Sequence, residues 1–128
     1  SAAPAPEEPT IKVKTTSLNM KKIQKINPDL TTMFENQDAI KVVIAKNKVQ
    51  IKINQQLREA LSKFNAKIGL INKVTHGHNY AEVRNDQEEQ EFTLAEGQEI
   101  NPDDYYIRIR ADKDKLAEFE LEGKVRSR

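Results

Sequence analysis

Residues 39–69 constrain the fold of this chain more than any other stretch, because alternating apolar runs are followed directly by an amphipathic segment. Apolar and polar residues alternate from residue 40 to 44 and again from 49 to 53, although Val43 adds an apolar group on the second face of the first run. Successive side chains on a strand point to opposite faces, so the run from 49 to 53 predicts a strand with one apolar face and the run from 40 to 44 a strand covered on both sides. The intervening Lys46-Asn47 predicts a tight hairpin turn, because Asn tolerates the left-handed backbone that such turns require.

A helix over about residues 55–68 is predicted next. Asn54 can accept a hydrogen bond from the first free amides of that helix. Apolar residues then recur at spacings of three and four, which places them on one stripe of an amphipathic helix. The stripe consists of Leu57, Ala60, Leu61, Phe64 and Ile68. Gly69 can adopt the left-handed conformation that ends many helices.

The remaining segments predict more strands and a short second helix. Asn27-Pro28 is typical of a helix start, so a short helix over about residues 28–36 is predicted. After residue 69, short alternating runs are separated by polar turns. The predicted fold class is therefore α+β, a mainly antiparallel β-sheet or small sandwich with one principal amphipathic helix.

The composition divides the chain into three segments. Residues 1–9 are rich in Ala, Pro and Glu, which predicts a flexible or extended arm. That arm is either a disordered linker or a segment that becomes ordered on a neighbouring subunit. Residues 10–122 form a single globular domain in this interpretation, and residues 123–128 form a basic tail. Ile11 and Val13 belong to a strand predicted at a sheet edge, where alternating Lys discourages stray pairing.

The last two predicted strands form a hairpin with charged outer faces. Tyr106, Arg108 and Arg110 alternate with apolar residues, and glutamates alternate with apolar residues in the following run, 117–122. Opposite charges facing each other across a strand pair stabilise it. Of Tyr105 and Tyr106, one is expected to face the core and the other to lie beside the arginines. Tyr and Arg are favoured anchors at protein interfaces; the alternative is an ordinary tyrosine that covers the sheet edge.

Charge is segregated along the chain although its net value is only +1. Residues 9–73 carry 13 basic against four acidic residues, and residues 74–122 carry 14 acidic against five basic residues. Three interpretations stay open: the halves interleave in space and keep the protein soluble, they form complementary docking faces, or the basic half contacts phosphates.

The third interpretation rests on a set of lysines in the basic half, namely Lys41, Lys46, Lys48, Lys52, Lys63, Lys67 and Lys73. Proteins that bind single-stranded nucleic acid usually carry aromatic side chains beside a basic groove. The two aromatic residues of this half, Phe34 and Phe64, fall on apolar helix stripes instead. Nucleic-acid binding is therefore the second choice.

Catalytic chemistry finds little support in the sequence. The chain has no Cys, and His76 and His78 are its only histidines. Structural zinc takes about four protein ligands and catalytic zinc about three. Two histidines are too few for either kind of site, so we interpret the pair as part of an ordinary polar turn. We expect no enzyme activity, no cofactor and no membrane-spanning segment.

The sequence thus predicts a non-catalytic structural or assembly protein that acts through protein–protein contacts. A subunit or accessory protein of a larger assembly fits best, such as a virion, envelope or secretion complex; self-association is also expected. The contact residues predicted are Ile11, Val13, Tyr106, Arg108 and Arg110. The alternative is a nucleic-acid-associated protein that uses the lysine set.

Overall fold

The computed structural model describes residues 11–94 and 100–123. The predicted arm (residues 1–9), residue 10, residues 95–99 and residues 124–128 of the predicted tail lie outside the described residues. The elements in chain order are β1 (Ile11–Leu18), α1 (Met20–Ile26), α2 (Leu30–Glu35), β2 (Ile40–Ala45), β3 (Lys48–Ile53), α3 (Gln55–Ser62), β4 (Ala66–Asn72), β5 (His78–Glu82), β6 (Glu89–Thr93), β7 (Tyr105–Ala111) and β8 (Asp114–Gly123).

The strands form one eight-stranded sheet in the order β5-β4-β7-β8-β1-β2-β3-β6, and every neighbouring pair is antiparallel. Within the described residues, strand β1 pairs with β8 along its length and with β2 through Ile11 and Val42. The edge strands β5 and β6 are consecutive in the chain, and the Gln90 side chain of β6 donates to the Glu82 carbonyl of β5 at 3.2 Å. The sheet is therefore nearly closed.

The core fills the space between the inner strand faces and the three helices. Its fully buried members include Ile107 and Ile109 of β7 and Ile68 of β4. Phe34 of α2 lies edge-on to Phe119 of β8, with ring centroids 5.8 Å apart. This aromatic pair attaches α2 to the sheet, and the Thr15 hydroxyl of β1 adds a hydrogen bond to the Phe34 carbonyl at 2.9 Å.

The predicted α+β class with a principal helix is wrong, although the expectation of a β-rich chain is confirmed. In the described part of the chain, the three α-helices have only seven, six and eight residues, against eight strands. Helix α3 begins after Asn54 as predicted but ends at Ser62. Asn65 then adopts a positive φ of 53° and reverses the chain into β4.

The error has a physical reason, which is that Ile68 fits two patterns. It continues the spacing of the helix stripe, but it also alternates with Ala66 and Leu70, and all three are buried. The strand pattern prevails, because these residues pair with β7 on one side and the same strand pairs with β5 on the other. Gly69 is therefore not a helix cap and lies in the middle of β4.

Strand β1 is not at a sheet edge, because β8 and β2 flank it on both sides. Ile11 is buried in the core and Val13 packs against that core. The predicted edge position of this strand is therefore wrong, whereas the contact role of Ile11 and Val13 stays a prediction. Helix α2 lies within the predicted range 28–36, and the β2–β3 hairpin is confirmed, with Lys46 in the left-handed region at φ 57°.

Replacing Asn54 by alanine should lower the free energy of unfolding by about 1 kcal/mol. The Asn54 side chain accepts a hydrogen bond from the Leu57 amide at 2.9 Å, and alanine would leave that amide without its cap. Urea denaturation measures the loss. Asn54→Asp is the matched control, because aspartate also caps, and equal losses in the two variants would contradict the capping role.

Candidate protein-contact surface

The outer face of β5, β4, β7 and β8 carries a grid of side chains in three cross-strand rows. We call these twelve residues the outer platform. The first row is Glu82, Lys67, Arg110 and Lys115; the second is Tyr80, Gly69, Arg108 and Glu118; the third is His78, Ile71, Tyr106 and Glu120.

The second row is built around a glycine covered by an aromatic ring. A Cβ atom added to Gly69 would lie 2.8 Å from Cζ of Tyr80, and closer still to two other carbons of that ring. The Tyr80 ring therefore lies against the backbone of β4, in space that any other residue at position 69 would occupy. A glycine covered by a cross-strand aromatic ring is a recurrent way of stabilising such a position in a sheet.

Arg108 connects the two outward tyrosines to an acidic residue. Its Nε donates to Oε2 of Glu118 at 2.8 Å, Nη2 donates to the Tyr106 hydroxyl at 3.0 Å, and Nη1 donates to the Tyr80 hydroxyl at 3.4 Å. Burial alone would lower the pKa of Arg108, but its hydrogen bonds to Glu118 and Tyr80 outweigh this effect and raise the pKa. The guanidinium thus stays charged and fixes both tyrosine hydroxyls.

Arg110 is held differently, by a backbone carbonyl instead of a carboxylate. Its Nε and Nη2 both donate to the Asp112 carbonyl, at 3.1 and 3.0 Å, and its guanidinium lies 5.2 Å from the centroid of the Tyr80 ring. Within residues 11–94 and 100–123, no carboxylate oxygen lies within 4.0 Å of the Arg110 nitrogens. Arg110 is therefore an oriented guanidinium without an ionic partner in the described part of the chain.

The third row contains a buried aliphatic side chain, that of Ile71. Ile71 belongs to this outward row, yet only 5% of its surface is exposed. Its neighbours in register are His78 and Tyr106, and the His78 ring lies 5.5 Å from the Tyr80 ring. The platform therefore combines half-exposed aromatic rings, a buried aliphatic side chain and two oriented guanidinium groups.

The structure brings together three of the five predicted contact residues. Tyr106, Arg108 and Arg110 lie side by side on the platform, whereas Tyr105 packs against the core. The predicted β7–β8 hairpin is confirmed, with Arg108 directly opposite Glu118.

The lysine set does not form one patch. Lys67 lies on the platform, and Lys73 and Lys48 form ion pairs with Glu120 and Glu91 at 3.7 and 3.8 Å. Lys41 and Lys52 are opposite each other in the β2–β3 pair, next to Glu89 of β6, whereas Lys46 and Lys63 lie in turns.

The two charged halves of the sequence interleave in space. Basic β1 pairs with acidic β8, where Lys12 lies opposite Glu122 and Lys14 opposite Glu120. Basic β3 likewise pairs with β6, and Lys52 lies opposite Glu89. Of the three interpretations of the charge pattern, the pairing of the strands favours interleaving.

Sequence reasoning placed the glutamates of residues 117–122 opposite the arginines, but it missed Tyr80 and Gly69 as members of the site. The signal that could have identified them is a glycine inside the alternating run Ala66, Ile68, Leu70, because a glycine in a strand often marks the close approach of another group.

The fold and the platform define a β-rich protein with a nearly closed antiparallel sheet and a Tyr/Arg outer face. No protein-family model matches the chain, and no curated protein matches it either. Among solved structures, the chain is similar to the crystal structure of a DUF3244 family protein from Bacteroides vulgatus, described as having an immunoglobulin-like β-sandwich fold. The identity is 10%, the TM-score is 0.47, and the alignment covers 93% of this chain and 100% of the other.

None of the helices in the described ranges has the length and apolar character needed to cross a membrane.

Proposed function

We propose that this chain is a non-catalytic protein-contact module, a subunit or accessory protein of a larger assembly, and that the outer platform is its contact surface. The observation that carries the proposal is the position of Arg108, which holds the hydroxyls of Tyr80 and Tyr106 at 3.4 and 3.0 Å. Tyr and Arg are the residue types most often found at binding hot spots.

The preorganisation of these side chains supports a role in binding. Ordering flexible side chains at an interface costs free energy, and a surface whose side chains are already fixed avoids part of that cost. Arg108 is tied to Glu118, and the Tyr80 ring lies against the backbone at Gly69 with the Arg110 guanidinium 5.2 Å from its centroid. An anchor of this kind contributes more to affinity than an equally exposed but mobile side chain.

Replacing Tyr106 by alanine is expected to weaken partner binding by roughly thirtyfold, equivalent to about 2 kcal/mol, because hot-spot truncations cost at least that much. The measurement is quantitative co-purification of the tagged protein from the cells that naturally express it, with light scattering for self-association. Circular dichroism checks that the variant is folded.

Gln50→Ala is the control, because Gln50 is a half-exposed residue on β3, away from the platform strands. The same partners should be recovered with wild type and with this control, and be lost with Tyr106→Ala. Retention of all partners by Tyr106→Ala would contradict the proposal. If the wild-type protein instead recovers nucleic acid, and Lys52→Ala loses it, the result would favour the alternative function based on the lysine set.

A further inference from the structure

We propose that the first row of the outer platform is a carboxylate-binding site, and that the partner presents an extended acidic segment to it. This inference rests on the proposed function and specifies the chemistry of the partner. The row places Lys67, Arg110 and Lys115 directly opposite one another on three neighbouring strands. Like charges that face each other across strands destabilise the pairing, so a bound anion relieves a repulsion that the free protein retains.

The ion pairs within the platform indicate which of its cations can bind a carboxylate from a partner. Arg108 is neutralised by Glu118 at 2.8 Å, and Lys115 shares the same carboxylate at 3.6 Å. In the described ranges, neither Lys67 nor Arg110 has a carboxylate oxygen within 4.0 Å, although Glu82 is opposite Lys67 in register. Arg108 therefore organises the platform, whereas Arg110 and Lys67 have no ionic partner among the described residues and are the cations that would meet the partner.

The orientation of Arg110 favours a carboxylate ligand. Two of its nitrogens are held by the Asp112 carbonyl, and its plane is fixed near the Tyr80 ring. A guanidinium fixed in this way loses little freedom when its remaining N–H groups donate to a carboxylate, and such charge-assisted hydrogen bonds are strong. Lys67 on the adjacent strand adds a second donor on the same row.

The third row defines a second feature of the partner. Along each strand, Ile71 and Tyr106 lie four residues from Lys67 and Arg110 respectively, which corresponds to roughly 13–14 Å in an extended strand. An extended segment that runs parallel to these strands can place a carboxylate on the first row. Its residue four positions away then lies over the third row, against the His78 and Tyr106 rings on either side of buried Ile71. The occupant is therefore an extended acidic protein segment with an aromatic or aliphatic residue four positions from a glutamate or aspartate.

The test uses the acetylated and amidated peptide Glu-Glu-Thr-Ser-Thr-Phe and its neutral counterpart Gln-Gln-Thr-Ser-Thr-Phe. Isotope-labelled protein is titrated with each peptide, and the backbone amides and arginine Nε–H signals are followed by NMR. The acidic peptide should shift the Arg110 Nε–H signal and the amides of β4 and β7, and the neutral peptide should bind about tenfold more weakly, since loss of a charge-assisted hydrogen bond is worth about that factor.

Arg110→Gln should weaken binding of the acidic peptide by about the same tenfold factor. Lys52→Gln makes an equal change in charge on the outer face of β3, away from the platform strands, and should leave the affinity unchanged. Equal binding of the two peptides, or unchanged binding by Arg110→Gln, overturns the inference.

Three further results would also overturn it. Inorganic phosphate that binds as tightly as the acidic peptide would show a general anion site. A short oligothymidine that binds more tightly would assign the row to nucleic acid. In the third result, the NMR signals of the platform residues shift with protein concentration when no peptide is present. If those shifts disappear in Arg110→Gln, the first row binds a second copy of the chain.

The two proposals fail in different ways. If Tyr106→Ala loses its partners but the acidic and neutral peptides bind equally, the platform is a contact surface and only the carboxylate assignment is wrong. If the acidic peptide binds through Arg110 but Tyr106→Ala keeps every partner, the anion site stands and the contact function of the platform is wrong.

Discussion

Replacing Phe119 by alanine is expected to lower the free energy of unfolding by about 3–5 kcal/mol, the usual loss for a buried phenylalanine. Phe119 is 2% exposed, and its ring lies edge-on to Phe34 at 5.8 Å. Truncation removes the apolar contacts of the ring and leaves a void between α2 and the sheet. Because a domain of this size is stable by about 5–15 kcal/mol, the loss is a large part of the total.

Urea denaturation of wild type, Phe119→Ala and Phe119→Leu tests this expectation, with leucine as the control that keeps most of the apolar volume. A double-mutant cycle with Phe34→Ala should give a coupling of about 0.5–1.5 kcal/mol for the aromatic pair. An open cleft of about 350 Å³ borders both rings, so water or α2 can move into part of the void. A loss below about 1 kcal/mol would mean that this relaxation is nearly complete, and it would contradict the assigned role of the pair.

Gly69→Ala is expected to lower the free energy of unfolding by about 1–3 kcal/mol, a typical cost of overpacking. The added methyl group would occupy the space of the Tyr80 ring, lying 2.8 Å from Cζ and closer to the neighbouring ring carbons. The ring can move only by giving up its place beside Arg110 and its hydrogen bond with Arg108. The same substitution should therefore weaken binding to the platform as well as stability.

The control for this prediction is the Tyr80→Ala background, where the ring that clashes is absent. There Gly69→Ala should be neutral or slightly stabilising, because alanine restricts the unfolded chain more than glycine does. Stability from urea denaturation and the NMR signal of the Arg108 Nε–H give two independent readouts. A neutral Gly69→Ala in the wild-type background, with that signal unchanged, would show that the ring does not cover the glycine in solution.

Local signals predicted local structure well in this chain. Asn54 marked the start of α3, because a capping side chain acts within one turn, and Lys46-Asn47 marked a hairpin, because a two-residue turn fixes its own pairing. The end of α3 could not be fixed in the same way. Ile68 satisfied both the helical and the strand period, and only pairing with distant β7 decides between them.

In the candidate site, too, features set within one strand could be predicted, whereas features set by the pairing of distant strands could not. Alternation within β7 was enough to place Tyr106, Arg108 and Arg110 on one face. Tyr80 and Gly69 belong to that face only because β5 and β7 flank β4 in register, and residues nearly 40 positions apart meet there, such as Gly69 and Arg108. The position of β1 was missed for the same reason, since its long ladder is formed with β8 at the far end of the described chain.

The position of β1 between β8 and β2 also affects how the protein is made. Ile11 pairs with Gly123, so β1 leaves the ribosome long before the strand that forms most of its hydrogen bonds. Until β8 emerges, the described part of β1 is paired only where Ile11 meets Val42 of β2. Pairing between such distant strands is slow and leaves strand edges exposed to aggregation. The nascent chain therefore completes its sheet only after β8 has been synthesised, and a chain cut before β8 would leave β1 and β7 without a shared neighbour.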